Sequence, residues 1–283
     1  MPLVTLKSVL DPAIAGGYGV GEFSIATLED VEPILEVLQK QRSPVILDYA
    51  EVFVRFTAPK RMAALVHELA SDYDIPIVLH YGHASNLERV KEAIDLGFTS
   101  VMFDVSREPF EENLARTKAA SELIHAAGIS LEAELGHVGG RETAEQVATQ
   151  STMTVPLEAA EFVRETQCDS LAICVGNAHG LYKGTPKLDF GLIAELRATL
   201  PCGLALHGGS GLPDADLVAA VRAGITKMSI YTDMSIVQVA AVRAVVADPN
   251  RYVIFPEIVA SAKASARELV AAKNQLYGSA GRA

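Results

Sequence analysis

Cysteine is scarce in this chain, with three residues among 283: Cys168, Cys174 and Cys202. The number is odd and no C-x-x-C pair occurs, which argues against a disulfide framework. Two of the three lie in or beside apolar runs that are typical of strands. We therefore expect free, buried thiols in a protein of a reducing compartment.

Long apolar runs and basic clusters are missing as well. Met1–Leu10 lacks the charged and apolar regions of a signal peptide, and no stretch approaches the ~20 apolar residues that span a bilayer. Lys and Arg total 24 against 35 Asp and Glu, giving a net charge of -11. This deficit argues against nucleic acid or a membrane as partner, because both attract clustered positive charge. We expect a cytoplasmic protein that binds, at most, a small phosphate.

The chain contains no Pro/Gly/Ser-rich linker, so residues 1–283 are predicted to form a single domain. Short aliphatic runs alternate eight times with amphipathic stretches, the pattern of parallel strands joined by crossover helices. The predicted strands are Gly19–Ile25, Pro44–Asp48, Ile75–His80, Thr99–Asp104, Ser130–Leu135, Ser170–Val175, Gly203–His207 and Lys227–Tyr231. The predicted helices are Thr27–Gln41, Thr57–Tyr73, Asn86–Leu96, Phe110–Ala127, Leu157–Gln167, Phe190–Leu200, Asp214–Ala223 and Met234–Ala247.

Eight such pairs favour a closed barrel over an open sheet. The predicted fold class is α/β, a (β/α)8 TIM barrel with extra C-terminal helices, one or two of them formed by Pro256–Tyr277. The polar segment Gly136–Val155 follows the fifth strand, and we interpret it as a mobile lid because long loops in compact domains often have that role.

Histidines gather where the predicted strands end, the edge at which such barrels carry out catalysis. His83, His179 and His207 follow or end the third, sixth and seventh strands, and His80 and His137 are expected at the same edge. Three neutral imidazoles from separate strands leave coordination positions open, as a catalytic zinc site requires. We therefore predict one divalent cation at the mouth of the barrel. The alternative is that each histidine only caps a strand or hydrogen-bonds within the core.

Carboxylates and glycine-rich turns flank this predicted metal site. Asp104 and Glu134 end the fourth and fifth strands, where they could orient ligands, hold a second metal position or cap a helix. The turn Gly208-Gly209-Ser210-Gly211 follows the seventh strand, and Ser229-Ile230-Tyr231-Thr232 ends the eighth. Barrels often bind phosphate at these two places through backbone N–H groups, which favours a phosphorylated substrate, although such glycines also serve ordinary tight turns.

Over essentially its whole length the chain resembles the class II, metal-dependent fructose-bisphosphate and tagatose-bisphosphate aldolases. The motifs that carry the resemblance stand in family order. They are Gly17-Tyr18 with Phe23, Ile34-Leu35-Glu36, Ser43–Leu47, Glu132–Gly136, Ala178–Lys183, Pro186–Phe190, Leu206–Gly211 and Gly278–Arg282.

The resemblance implies that a zinc ion, with Co²⁺ or Mn²⁺ as alternatives, polarises a ketose carbonyl and stabilises the enediolate left when carbons three and four separate. The resemblance also allows a monovalent cation as a second cofactor. The implied metal ligands are His83, His179 and His207, with Asp104 and Glu134 close to the metal or at an alternative position. The implied phosphate contacts are Gly180, Gly208, Ser210 and Thr232, with Lys183 shaping that loop. Glu142 is implied as the proton-exchanging residue, and a homodimer or homotetramer as the assembly.

Three positions depart from the family pattern. The third strand reads His80-Tyr81-Gly82-His83 where the family has His-Leu-Asp-His, and Gly82 cannot move a proton. Ser24 and Ser229 stand where the family carries asparagine. Asp48, or less favourably Glu51, ends the neighbouring second strand and is our candidate replacement, unless both are solvated loop charges. Tyr81 and His137 are weaker candidates.

These observations predict a carbon–carbon lyase that acts on a ketose phosphate. The substrate would contain a moiety like dihydroxyacetone phosphate and would differ from the usual hexose bisphosphates. A metal-dependent epimerase or isomerase on a related sugar would use the same enediolate chemistry. A third possibility is a non-catalytic sugar-phosphate-binding paralogue. The presence of Glu142 beside three metal ligands argues against that third possibility, because a binder needs no proton shuttle.

Overall fold

The computed structural model describes residues 3–140, 150–182, 184 and 186–283. Eight parallel strands pair in sequence order, and the last pairs with the first, so the sheet closes into a barrel. The predicted (β/α)8 TIM barrel is therefore confirmed. The strands are β1 (Val20–Ser24), β2 (Val45–Ala50), β3 (Ile77–Ala84), β4 (Ser100–Phe103), β5 (Ser130–Leu135), β6 (Ser170–Ile173), β7 (Gly203–Leu206) and β8 (Lys227–Ile230).

Ten α-helices lie in the described part of the chain. They are α1 (Leu6–Gly16), α2 (Val31–Lys40), α3 (Pro59–Leu69), α4 (Leu87–Asp95), α5 (Phe110–Ala126), α6 (Pro156–Thr166), α7 (Phe190–Thr199), α8 (Asp214–Ala223), α9 (Thr232–Val245) and α10 (Phe255–Tyr277). Side-chain caps set some of the starts: the Asn86 side chain accepts the N–H groups of Glu88 and Arg89 at α4. The predicted C-terminal extension is one long helix, α10. None of the helices described here has the length and apolar character to cross a membrane.

Helix α1 is an element that the sequence pattern did not predict. Its buried side chains pack on the first inward-facing residues of β1, β2 and β3, namely Val20, Ile46 and Val78. The helix therefore closes the N-terminal end of the barrel. The helix contributes Leu6, Val9, Leu10 and Ala13 to the apolar cluster that they form with these strand residues. From residue 3, where the described chain begins, no strand precedes α1, and Pro12 lies in its second turn, so the alternation of strands and helices did not indicate it.

The interior of the barrel changes character along the strands. Side chains alternate between the two faces of a strand, so residues two positions apart share a face. Two residues beyond the apolar cluster at α1, the same inward face carries Glu22 on β1, Asp48 on β2 and His80 on β3, all buried. The core between strands and outer helices is apolar, whereas the carboxyl-terminal half of the interior is polar and charged. That half is where a site can form.

Candidate functional site

Three histidines from separate strand ends converge at the mouth of the barrel. One ring nitrogen from each of His83, His179 and His207 lies within 4.8 Å of the others. The ring centroids are 5.0 to 5.5 Å apart, with each pair of rings edge to face. A register shift between Tyr81 and Ala84 and a left-handed backbone at His83, with φ of 54°, turn the His83 ring toward the other two. The predicted trio is thus brought together.

The second nitrogen of each imidazole has a defined hydrogen-bond partner. Nδ1 of His83 lies 2.8 Å from Oδ2 of Asp104, and Nδ1 of His179 lies 3.2 Å from the Val138 carbonyl oxygen. Nε2 of His207 lies 3.1 Å from Oε1 of Glu132. An acceptor at each of these nitrogens requires that the nitrogen carries the proton. The remaining lone pairs belong to Nε2 of His83, Nε2 of His179 and Nδ1 of His207.

These lone pairs face one another, which tests whether the residues suit a metal ion. Nε2 of His179 and Nδ1 of His207 are 3.3 Å apart. Two unprotonated nitrogens this close repel unless a positive charge, a metal ion or a proton, lies between them. Three imidazole lone pairs with outer hydrogen-bond partners are the donor set of a catalytic zinc site. The residues therefore fit a divalent cation.

Asp104 and Glu134 form a second grouping with His83. The three side chains offer ligand atoms within 4.8 Å of one another. Burial raises the pKa of Asp104, but the hydrogen bond and charge of His83 outweigh it and hold this pKa below its ordinary value. Oε1 of Glu134 accepts hydrogen bonds from the Ser106 hydroxyl at 2.8 Å and the Val138 N–H at 2.9 Å. Its buried Oε2 has no hydrogen-bond partner among the described residues, so it could serve as a ligand.

A buried charge network lies beneath the histidines, and the sequence analysis did not predict it. Nζ of Lys227 lies 2.5 Å from Oε1 of Glu22 and 2.6 Å from Oε1 of Glu132. Burial opposes charge on Lys227, but the two carboxylates outweigh it and raise its pKa above the ordinary value. Because Glu132 also accepts from His207, this network fixes the orientation of one of the candidate ligands. Charged residues at alternating positions of otherwise apolar strands were the available signal.

His80 lies inside the barrel and not at its mouth, which corrects its expected position. Strand β3 continues past His80 to Ala84, so the residue falls in mid-strand and is fully buried. Its Nδ1 lies 2.9 Å from the Ser100 hydroxyl. Burial and the charge of Lys227 lower the pKa of His80 to about 3, so it stays neutral. It belongs to the network beneath the site.

Asp48 faces the inner cavity that the histidines enclose, beside Ser24, His83 and His207. Oδ2 of Asp48 accepts a hydrogen bond from the Ser24 hydroxyl at 2.8 Å. Oδ1 is buried without a hydrogen-bond partner in the described part of the chain. Burial, with the nearby charge of Glu22, raises the pKa of Asp48 to about 8. Asp48 is therefore no solvated loop charge, which was the alternative to a role at the site.

The other candidates for the missing acid or base lie elsewhere. Glu51 lines the outer part of the site and accepts the N–H of Ser85 at 2.9 Å. Tyr81 packs between Tyr49 and Phe98, facing away from the barrel interior. His137 lies with its Nδ1 3.0 Å from the Ser106 hydroxyl and lines the outer cavity. None of the three lines the inner cavity.

The inner cavity also brings together most of the predicted phosphate residues. Gly180, Gly208, Ser210, Ser229 and Thr232 all line it. Gly208 has φ of 66°, and a Cβ there would overlap the Ala178 carbonyl oxygen, so only glycine fits. Thr232 is the first residue of α9, so the N-terminus of this helix borders the inner cavity.

Three members of this set also make hydrogen bonds with neighbouring residues of the described chain. The N–H of Gly209 donates to the Ser229 carbonyl oxygen at 3.1 Å, and Gly209 does not line the inner cavity. The Ser210 hydroxyl accepts the N–H of Asp233 at 3.1 Å, which ties the seventh-strand turn to α9. The Ser229 hydroxyl donates to Oε2 of Glu22. Gly209 and Ser210 thus shape the cavity through these bonds.

Glu142 and Lys183 lie outside the described residues. Both ends of the segment Gly136–Val155 are described, and an antiparallel bridge joins His137 to Thr152 at its base. A further bridge pairs Gly140 with His179. The segment therefore begins beside a candidate metal ligand, and its action as a lid stays a prediction.

A larger outer cavity of about 590 Å³ continues from the histidines toward solvent. Its lining includes His83 and His179, so it communicates with the candidate metal position. Side chains of both charges surround it, among them Arg107, Arg116 and Glu108. The volume falls in the range of small-molecule sites.

Comparisons with known proteins agree with this geometry. Residues 4–282 match the family model described as fructose-bisphosphate aldolase class-II. A fructose-bisphosphate aldolase of Staphylococcus aureus is 40% identical over 294 residues, covering 100% of both chains. One from Geobacillus stearothermophilus is 39% identical over 288 residues, covering 100% of this chain and 99% of its own. The crystal structure of the YdjI aldolase from Escherichia coli K12 superposes with a TM-score of 0.89 at 31% identity, covering 99% of each chain.

Proposed function

This chain belongs to the class II fructose-bisphosphate aldolase family, and from that premise we propose that it is a zinc-dependent lyase for a ketose phosphate other than the usual hexose bisphosphates. Membership makes it an aldolase and implies a phosphorylated sugar as substrate. The observation that carries the metal is the convergence of three imidazole lone pairs, with each second nitrogen held by an acceptor. Zn²⁺ suits this donor set, with Co²⁺ or Mn²⁺ as substitutes.

A divalent cation held by His83, His179 and His207 would supply polarisation of the ketose carbonyl and stabilisation of the enediolate charge. The residues around it prepare the site for that task. Asp104 and Glu132 fix the rings of His83 and His207. Loss of such a partner typically lowers metal affinity by about 10–100-fold. Glu134, with its free buried oxygen, offers an alternative ligand position beside His83.

The substrate's phosphate would lie across the inner cavity from Asp48. Gly180 and Gly208 allow close backbone approach there, and Thr232 brings the N-terminus of α9 to the same place. Lys183 would shape the loop that follows Gly180. We also propose a monovalent cation as a second cofactor. Glu142, on the segment after β5, would exchange the proton of the enediolate carbon.

Two serines support a substrate different from that of the family. Ser24 and Ser229 stand where the resembled family has asparagine, and each hydroxyl is donated to a carboxylate, Asp48 and Glu22 respectively. Neither position therefore offers an amide to the substrate. The aldehyde portion would occupy the outer cavity of about 590 Å³, whose lining carries charges of both signs.

The experiment is an assay of ketose mono- and bisphosphates with the chelator-treated protein, with and without added zinc. The expected result is zinc-dependent release of dihydroxyacetone phosphate, trapped by reduction with a coupled dehydrogenase, from at least one ketose phosphate other than fructose bisphosphate. His207→Ala, which removes one ligand, serves as the matched control. Hydrogen exchange into a ketose phosphate without cleavage would show an epimerase or isomerase instead, and binding without either reaction would show a non-catalytic binder.

The assembly proposed is a homodimer or homotetramer. Apolar side chains are exposed around the connection between α9 and α10, with Tyr252 at 88% and Phe255 at 73% exposure. Contiguous exposed apolar groups are typical of subunit contacts. Light scattering of the purified protein tests this, and a monomer at micromolar concentration would contradict it.

A further inference from the structure

Gly82 faces a space that another side chain already fills. Gly82 pairs with Ala50 in the register of β2 and β3, two residues beyond the pair Asp48 and His80. A Cβ built on Gly82 would overlap Oδ1 of Asp48 and lie 3.2 Å from its Cγ. The backbone at Ala50 would be 3.3 Å away. The carboxyl group of Asp48 therefore occupies the volume that a side chain at position 82 would need.

The hydrogen bonds of Asp48 to described residues engage only one of its two carboxyl oxygens. The Ser24 hydroxyl donates to Oδ2 at 2.8 Å, and this bond fixes the plane of the carboxyl group. Oδ1 is buried, has no partner among the residues described, and belongs to a side chain that lines the inner cavity with the three histidines. A buried polar atom without a partner is energetically unfavourable, so such atoms persist where a ligand or reaction uses them.

Glu22, the other carboxylate on this side of the cavity, has no such free oxygen. Its Oε1 lies 2.5 Å from Nζ of Lys227, and its Oε2 accepts from Ser229. Both oxygens are engaged, and the ion pair lies beneath the site. Of the two carboxylates that line the inner cavity, Asp48 is thus the one with an oxygen that no described residue engages.

We propose that Asp48 on β2 replaces the aspartate that the family carries on β3 at position 82, so the catalytic carboxylate has moved to the neighbouring strand while staying in the same space. This rests on the proposed function. In cleavage, the Asp48 carboxylate takes the proton of the carbon-four hydroxyl, whose O–H electron pair becomes the second bond of the aldehyde carbonyl. The electron pair of the bond between carbons three and four passes to the enediolate, which is then protonated at carbon three. Nothing is oxidised or reduced.

The test separates cleavage from enolisation. Proton exchange between solvent and dihydroxyacetone phosphate forms the enediolate without any carbon-four hydroxyl, so it does not need Asp48. In Asp48→Asn, which keeps the size and the bond from Ser24, cleavage should fall about 10²–10⁴-fold. Deuterium exchange into dihydroxyacetone phosphate should stay within about threefold of the unmodified protein, as should zinc content.

A charge-relocation series then tests the shared space. Asp48→Ala removes the carboxylate and opens the volume, and Gly82→Asp in the same protein returns a carboxylate from β3. The double variant should cleave at least about tenfold faster than Asp48→Ala alone, because the general base is restored. The matched control, Asp48→Ala with Gly82→Asn, adds the same bulk without the base and should show no recovery.

Several results would overturn the proposal. Cleavage within threefold of wild type in Asp48→Asn would remove Asp48 from the reaction, and loss of cleavage and exchange together would make its part structural. If cleavage recovers in both double variants, or in neither although both fold, the claim that Asp48 and a side chain at position 82 share one space would be refuted. Where a double variant does not fold, as judged by its melting curve, the Asp48→Asn comparison decides. Wild-type protein that neither cleaves nor exchanges would instead refute the proposed function.

Discussion

Asp48→Asn should make the metal-free protein more stable, and increasingly so as the pH rises. Burial raises the pKa of Asp48 from 3.8 to about 8, so the folded state keeps a proton that the unfolded state releases between these values. The folded state binds more protons in this window, and its stability therefore falls as the pH rises through it. Asparagine has the same shape but no charge, so it does not incur this cost.

The magnitude follows from the size of the shift. One pKa unit corresponds to about 1.4 kcal/mol, and about three units of the window lie between pH 5 and pH 8. The variant's gain in free energy of unfolding should therefore grow by up to roughly 4 kcal/mol over that range, and relaxation around the charge reduces this figure. Urea unfolding in the presence of a chelator, at pH 5, 6, 7 and 8, measures it for both proteins. Their difference removes the contribution of titrating groups that do not interact with Asp48. A gain that does not change with pH, or a less stable variant at pH 8, would refute the reasoning.

Three further substitutions probe the rest of the site. Glu132→Gln removes the acceptor that orients His207 and should weaken zinc affinity about 10–100-fold in a chelator competition, while unchanged affinity would contradict the role of the buried network. Asp104→Asn should weaken zinc affinity by a similar factor, and an effect only on the Michaelis constant would instead place Asp104 at the substrate. Gly208→Ala should destabilise the protein by at least about 1–2 kcal/mol, the cost of the left-handed backbone at φ of 66°, because the added Cβ also overlaps the Ala178 carbonyl oxygen. It should also raise the Michaelis constant for a phosphorylated substrate, and wild-type kinetics would remove Gly208 from the phosphate site.

The barrel and the histidine trio could be predicted from the sequence because both depend on local pattern. Aliphatic runs spaced by amphipathic stretches specify strand–helix pairs, and a histidine at the end of such a run lies at the catalytic edge whatever the exact register. His80 failed this test because β3 runs four residues further than its apolar stretch suggests, so the residue lies in mid-strand. Strand ends are where such predictions are least secure.

The contacts across the barrel could not be predicted from sequence. The pairing of Lys227 with Glu22 and Glu132 joins residues 205 and 95 positions apart, and only closure of the sheet brings them together. The overlap between Asp48 and the side-chain position of residue 82 likewise depends on the register of β2 against β3. The sequence placed Asp48 near the missing carboxylate because neighbouring strands end together. It could not distinguish a buried, oriented group from a solvated one.

Zinc titration of the chelator-treated protein, with bound metal and cleavage of the accepted ketose phosphate followed in the same samples, tests the central claim most directly. If His83, His179 and His207 hold the ion on which the reaction depends, cleavage rises in proportion to bound zinc and levels off at one ion per chain. Cleavage by metal-free protein, or full zinc binding in the His207→Ala variant with no change in rate, would contradict it.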